Sequence, residues 1–311
     1  MEKYKKQDIK LAIVIPYFKI LFFEETIKSL ANQTNKQFNL YIGDDASPEN
    51  PEEILEKYKN KLNFLYHRFD ENVGGTSLVR QWERCIDLTE DEDWIMILGD
   101  DDFLSDNVVA SWYKHYETFS KKTNIVRFAS KIVDQKLNTI SEIYQHPILE
   151  SAVKSFWRKY NNETRSSLSE HVFCRNSYEK YGFQNFPLAW NSDDCAWLDF
   201  SDHKPIYTIN ESIVFIGIST VNISGKTNNL KLKRESYVKF YKYLFSKKAS
   251  FFSKKQLLFF MYRYEYEISK QRPLKTLEWL YLLLKYIKHY DNMESKKFIK
   301  RLANTILKRH D

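Results

Sequence analysis

WIMILGDDD, residues 94–102, is an apolar run that stops on a glycine and three aspartates. Consecutive apolar side chains bounded by turn residues fit a short strand buried on both faces, as parallel sheets require. Toward the N-terminus the pattern occurs twice more: Leu11 to Ile15 ends at Pro16-Tyr17, and Phe38 to Ile42 runs into Gly43-Asp44-Asp45. Between these runs the periodicity predicts helices over 24–33, 52–58 and 77–88, a further strand over 62–67, and a turn at Asn72-Val73-Gly74-Gly75. Strand and helix in alternation imply an α/β layer around a mostly parallel central sheet flanked by helices. Ligands of such sheets gather beyond the carboxyl ends of the strands. Three polar clusters fall there: Pro16-Tyr17, Asp44-Asp45 and Asp100-Asp101-Asp102. After about Val133 the pattern is less regular, and from about Leu230 it turns helical. The expected division is therefore 1–229 for the α/β domain and 230–311 for a helical C-terminal extension.

Composition narrows the class. Seven Gly and seven Pro in 311 residues exclude collagen-like or linker-rich architectures, and 43% hydrophobic residues exclude a disordered chain. Cys85, Cys174 and Cys195 are odd in number and lack CxxC spacing, which excludes a disulfide scaffold and a structural zinc site and favours a reducing compartment. The N-terminal MEKYKKQDIK is polar, and no window approaches the roughly 20 apolar residues of a spanning helix. A cytoplasmic location is expected. The net charge of +7 is unevenly placed: residues 230–311 hold 21 basic and 7 acidic side chains, so +14, which leaves −7 for 1–229.

Three successive aspartates after a buried strand repel one another unless solvent or a cation neutralises them. Their hard oxygens suit Mg²⁺ or Mn²⁺, which takes one or two carboxylates and completes its shell with water and substrate phosphates. A solvated acidic loop that caps the following segment is the plainer alternative.

IVIPYFK, YIGDDAS, ENVGG with Arg80, and ILGDDDFL, taken in order, resemble the successive motifs of the inverting GT-A glycosyltransferases of family two. The resemblance spans roughly residues 10–225. It implies a GT-A fold, a nucleotide-diphospho-sugar donor, a divalent metal, and a glycan or lipid-linked saccharide acceptor, as in bacterial surface polysaccharide synthesis. Position by position, Pro16 and Tyr17 match the loop that lines the nucleobase. Asp45 matches the carboxylate that hydrogen-bonds the base, with Asp44 beside it, and Asn72 and Arg80 fall near the nucleotide. Asp100 and Asp101 match the middle and last positions of the family's DxD motif, with Asp101 the expected metal ligand. The first position is Gly99, a departure for which Asp102 is the expected compensation at the metal. Asp193-Asp194, in WNSDDCAW, resembles the segment whose last carboxylate is the catalytic base, so Asp194 is carried over as base and Asp193 as its neighbour. Both aspartates also suit a helix N-terminus.

Further candidates are His171 near the acceptor, Trp190 as a stacking surface for a sugar ring, and Ser224-Gly225-Lys226 as a lid whose cation closes over the diphosphate. Gly74-Gly75 lacks phosphate-loop spacing, which disfavours a kinase or a dinucleotide enzyme. The basic, aromatic C-terminal helices fit either a bundle that buries its rings or an anionic membrane surface. Nucleic acid would use the same charge, but no recognition motif accompanies it. Two other classes share these carboxylates: a non-catalytic nucleotide- or carbohydrate-binding protein, and a nucleotidyltransferase.

Overall fold

The structure is a computed structural model and describes residues 10–134, 137–219, 229–289 and 292–307. The chain divides into two compact units, Met1–Asn228 and Asn229–Asp311.

The first unit is built on one ten-stranded sheet. Strands β1 (Leu11–Tyr17), β2 (Asn39–Asp44), β3 (Phe64–Arg68) and β4 (Trp94–Ile97) run parallel in the spatial order β3-β2-β1-β4. Helices α1 (Phe23–Ala31), α2 (Glu52–Tyr58) and α3 (Leu78–Ile86) link them. The β1 strand continues two residues beyond the expected stop. The Val14 carbonyl accepts the Leu98 N–H on the β4 side (2.9 Å), so Pro16, two residues on, turns its missing N–H to that side, past the end of β4. Proline costs no ladder bond there.

The sheet continues through a short β5 (Phe103–Leu104), α4 (Val108–Phe119), the long β6 (Ile125–Asp134), β7 (Thr139–Ile140), β8 (Leu149–Ser151), α5 (Ala152–Tyr160), β9 (His171–Cys174), α6 (Arg175–Tyr181), α7 (Ser192–Phe200) and β10 (Pro205–Ile218). β10 is parallel to β6, and β9 lies between β4 and β6, antiparallel to both. This reversal matters for function: Met96 pairs with Val172, so the start of β9, not its end, lies beside the carboxyl end of β4. Residues 169–171 thus join the polar edge formed by the ends of β1, β2 and β4. Ile13, Ile15, Met96 and Val172 lie in one buried apolar cluster together with Phe23 and Ile27 of α1 and Trp112 of α4.

The second unit consists of α8 (Leu230–Lys247), α9 (Lys254–Ser269), α10 (Thr276–His289) and α11 (Asn292–Leu307). A capping box formed by Ser253 and Gln256 starts α9 and satisfies two of its orphan N–H groups. Phe240, Tyr241, Phe245, Phe260, Tyr264, Trp279, Tyr286 and Phe298 are buried, which accounts for much of the aromatic excess of this region. Among the described residues no helix is long and apolar enough to cross a membrane.

Candidate active site

Three loops meet at the carboxyl edge of the sheet, and buried or half-buried aspartates tie each one down. Asp44, at the end of β2, is fully buried. Its Oδ1 accepts the Ser47 N–H (2.7 Å), and its Oδ2 accepts the Tyr66 hydroxyl (2.6 Å) and Arg68 Nη1 (2.7 Å). Asp45 points to the other side of the chain, toward the ENVGG turn. Its oxygens accept the N–H groups of Val73 (2.8 Å) and Gly74 (2.9 Å) and pair with Arg84, whose guanidinium lies 3.8 Å from the Phe69 ring centroid. The Gly74 backbone can come this close only without a side chain, because a Cβ there would overlap Asp45 Oδ2. Burial raises the Asp45 carboxyl above its ordinary value, against the pull of these donors. The Asp45 N–H bonds to the Tyr17 carbonyl (3.0 Å) and so joins the first loop to the second. The Tyr17 ring turns away into the core beside Phe23, and its hydroxyl donates to the Glu49 carbonyl (2.8 Å); burial pushes that hydroxyl up to about 12. Tyr17 therefore lines the edge with backbone, while Pro16 is half-buried. Asn72 Oδ1 accepts the Gly75 N–H (2.5 Å) and shapes the turn, and Arg80 is exposed on α3.

The acidic turn after β4 divides its labour. Asp100 Oδ2 accepts the N–H groups of Phe18 (2.8 Å) and Lys19 (2.7 Å), which pins the β1 loop. Burial first, then the Asp101 charge, push the Asp100 carboxyl up to about 6. Asp102 is buried, with Oδ1 on the Gly217 N–H (2.8 Å) and Oδ2 on the Ser169 hydroxyl; burial and Asp101 hold its pKa well above the usual carboxylate range. Gly99 follows from this packing. A Cβ at 99 would lie 2.8 Å from Asp102 Oδ2 and 3.1 Å from Asp101 Oδ1. The space that a side chain at the first motif position would need is filled by the third aspartate. Asp101 remains half-buried between two carboxyls that it destabilises. Hard carboxylate oxygens crowded in this way suit a dication that takes one or two carboxylates and completes its shell with phosphate oxygens and water. Among the described residues no three acidic, His or Cys side chains converge as a ready-made metal cage.

The second acidic pair opens α7. Asn191, in the left-handed region at φ 68°, turns the chain and donates from Nδ2 to Asp194 Oδ2 (2.9 Å). Lys159 of α5 donates to Asp194 Oδ1 (2.6 Å). Burial lowers the Lys159 pKa, but Asp194 and then Asp193 outweigh it, and the net shift is upward. Asp193 is half-buried, and burial followed by the Asp194 charge pushes its carboxyl up to about 6. Arg165 pairs with Glu170 (2.5 Å) and Ser130 (2.9 Å); its charge favours the ionised form of Asp102 and repels that of Lys159. Ser77, the N-cap of α3, donates to Asn185 in the segment leading to α7 (2.9 Å). His171 is buried, stacks on Trp197 at 4.2 Å and bonds through Nδ1 to the Ser167 carbonyl (2.7 Å); burial drives its pKa well below the ordinary value and keeps it neutral. Trp190 is half-buried just before α7. Lys226 lies outside the described residues.

A mostly parallel sheet in which β9 runs reversed beside β4, with acidic clusters at its carboxyl edge, has a counterpart among known proteins. The model of glycosyl transferase family 2 matches residues 12–182, more than half of the chain. The chain belongs to this family. Among curated glycosyltransferases it is similar to poly(ribitol-phosphate) beta-N-acetylglucosaminyltransferase TarS from two Staphylococcus aureus strains, with 28% identity over 101 residues. That match covers 31% of this chain and 17% of the relative's length. The solved structure of S. aureus TarS residues 1–349 superposes with a TM-score of 0.63 at 14% identity, covering 93% of this chain and 83% of that one. Its complex with UDP-GlcNAc gives 0.64 at 15% identity, covering 89% and 79%. At these identities the likeness is one of fold, and the fold is GT-A. Membership of the family, by contrast, makes the protein a glycosyltransferase.

Within this glycosyltransferase the aspartates were visible in the sequence and their cationic partners were not. Arg84, one helical turn beyond Arg80, is the arginine on Asp45; the i, i+4 spacing placed both on one face of α3 but could not choose between them. Lys159 and Arg165 belong to a stretch whose pattern is irregular, and no local spacing connects Lys159 to a carboxylate 35 positions away. Ser169 and Glu170 become part of the site only because β9 is reversed.

Proposed function

We propose that this glycosyltransferase moves a sugar with inversion from a nucleotide-diphosphate donor, of the UDP-N-acetylhexosamine class by analogy with TarS, to a hydroxyl of a glycan or lipid-linked acceptor in bacterial surface-polymer synthesis, working at the cytoplasmic face of the membrane. The observation that carries the reading is that the start of β9 lies between the two acidic clusters: Ser169 holds Asp102, and two residues on His171 stacks on Trp197 of α7, the helix that Asp193-Asp194 open, at the strand edge where ligands of this fold class bind. The nucleoside sits against Pro16 and the ENVGG turn that Asp45 and Arg84 hold in place. Asp101 would hold the Mn²⁺ or Mg²⁺, with Asp102, whose oxygens each accept one bond from Ser169 or Gly217 and keep a lone pair, as the second ligand, and Asp100 pinning the β1 loop beside them. When bound, the ion offsets charge on the departing diphosphate.

Asp194 acts as the general base. Lys159 and Asn191 use one lone pair on each of its oxygens, and a carboxylate has about four acceptor sites, so the acceptor hydroxyl can still bond to it. The cation and the amide fix its direction. Asp193 shares the site and holds a proton more readily than a free aspartate does. The test is a screen of nucleotide sugars with Mn²⁺, followed by product analysis. Release of nucleoside diphosphate and an inverted glycoside are expected. Tight binding with no transfer to any acceptor would point to a non-catalytic binder, and pyrophosphate release to a nucleotidyltransferase. Asp194→Asn should keep donor affinity and lower transfer by about 10²–10⁴-fold.

A further inference from the structure

Helix α10 has two apolar faces, and its own unit uses one of them. Trp279, Leu282 and Tyr286 are buried, with Trp279 and Tyr286 packed on Phe298 of α11 at 5.4 and 4.5 Å between ring centroids. On the outer face Leu277, Leu280, Leu284 and Ile287 are 78, 50, 59 and 63% exposed. Steps of three, four and three residues align them in one stripe along the helix. A single exposed leucine is ordinary, but four in register on one helix mark a contact surface. The stripe has no acidic member. Glu278, the one acid of α10, is held by Arg272, with Nη2 to Oε1 at 2.7 Å. Lys288, beside Ile287, is exposed at the rim, and Lys275 stands exposed just before the helix.

We propose that the outer face of α10 docks on an anionic phospholipid surface, with Leu277, Leu280, Leu284 and Ile287 at the acyl boundary and the lysines among the headgroups. Charge selects this occupant. Residues 230–311 carry 21 basic and 7 acidic side chains, so a second copy seated on the stripe would bring two strongly cationic units together. A 14-residue helix also offers about two heptads, short of the three to four that sustain a coiled coil. Nucleic acid would engage the lysines and leave the leucines in water. At 1.5 Å per residue α10 is about 21 Å long, shorter than the roughly 30 Å hydrocarbon core, so it lies along the interface. This inference specifies the membrane contact in the function proposed above and is independent of the transfer chemistry.

The full chain is sedimented with vesicles of phosphatidylcholine alone and of phosphatidylcholine containing about a third phosphatidylglycerol. The same is done with the variant L277Q/L280Q/L284Q/I287Q, whose fold is checked by circular dichroism and melting temperature. The wild type should partition to the anionic vesicles, less so as salt rises, and the variant should lose at least about tenfold in partitioning with its melting temperature unchanged. If the wild type stays in the supernatant, or the variant binds equally well, the inference is overturned. It is also overturned if sedimentation equilibrium shows a wild-type dimer that the variant dissolves. Nucleotide release with a soluble acceptor, measured on the same preparations, separates the two claims: failed vesicle binding with transfer intact sinks only the membrane contact, and failed transfer with vesicle binding intact sinks only the proposed activity.

Discussion

Gly99→Ala tests why the acidic turn after β4 lacks a side chain at its first motif position. The new methyl would sit 2.8 Å from Asp102 Oδ2 and 3.1 Å from Asp101 Oδ1, where ordinary contacts begin at 3.4 Å. Among the described residues Gly182 is the glycine with positive φ, so the cost at 99 is steric and not conformational. Asp102 cannot swing aside cheaply, because the Gly217 N–H and the Ser169 hydroxyl hold both of its oxygens in a buried site. Overpacking of this kind costs about 1–3 kcal/mol. Asp102→Ala, made alone, leaves those two donors without an acceptor, at about 1–3 kcal/mol each before any relief of repulsion with Asp101. In the double variant the methyl meets only Asp101, and the added cost of Gly99→Ala should fall below about 0.5 kcal/mol. The two sites should therefore couple by about 1–2 kcal/mol, within the range for residues in contact. Urea denaturation of the four proteins at constant slope measures this coupling. Strict additivity, or a neutral Gly99→Ala, would refute the packing argument. By the same reasoning Gly99→Asp, which restores the family's pattern, should lose stability and gain no Mn²⁺ affinity.

Three further outcomes follow from the geometry. The transfer rate should change as pH drops through about 6, where Asp193 takes up a proton, and Asp193→Asn should abolish that limb; an unchanged limb would assign the titration elsewhere. Because the folded-state pKa of Asp193 is raised, its stabilising contribution is complete below the unfolded value of about 4 and disappears as pH rises to about 6, so Asp193→Asn should flatten that part of the stability curve. Arg127→Met should cost about 3 kcal/mol in urea denaturation, since it strands the buried Glu150 with only Arg158, Ser155 and Thr208 losing a partner as well; a loss under about 1 kcal/mol would mean the pair is dispensable. His171→Phe retains a ring on Trp197 and loses the bond to Ser167, so it should lower stability by about 1 kcal/mol with KM for the acceptor unchanged; a large rise in KM at intact stability would put His171 in the acceptor site.

What could be read without coordinates was whatever a few consecutive residues encode. Strands β1, β2 and β4 were legible because each is an apolar run that ends on proline or glycine, followed in β2 and β4 by aspartates, and that is how a strand buried on both faces and open at one end is written. Boundaries moved where hydrogen-bond geometry overrides residue preference: Pro16 reads as a stop, yet it falls inside β1 because its N–H would have faced the space beyond β4. The aspartates stood out for a related reason, since carboxylates next to buried strands are costly and need an explanation. The explanation itself was not legible. Arg68, Arg84, Lys159 and Ser169 meet their carboxylates across 24, 39, 35 and 67 positions of chain, and only the sheet order and the reversal of β9 bring those positions together. Gly99 shows the difference most sharply. Seen as a motif position it is a missing ligand, and seen in the fold it is the room that Asp102 occupies. A substitution away from a family's pattern should therefore be judged against what fills the vacated volume, because a neighbour tied to distant donors can make the change obligatory without removing the chemistry beside it.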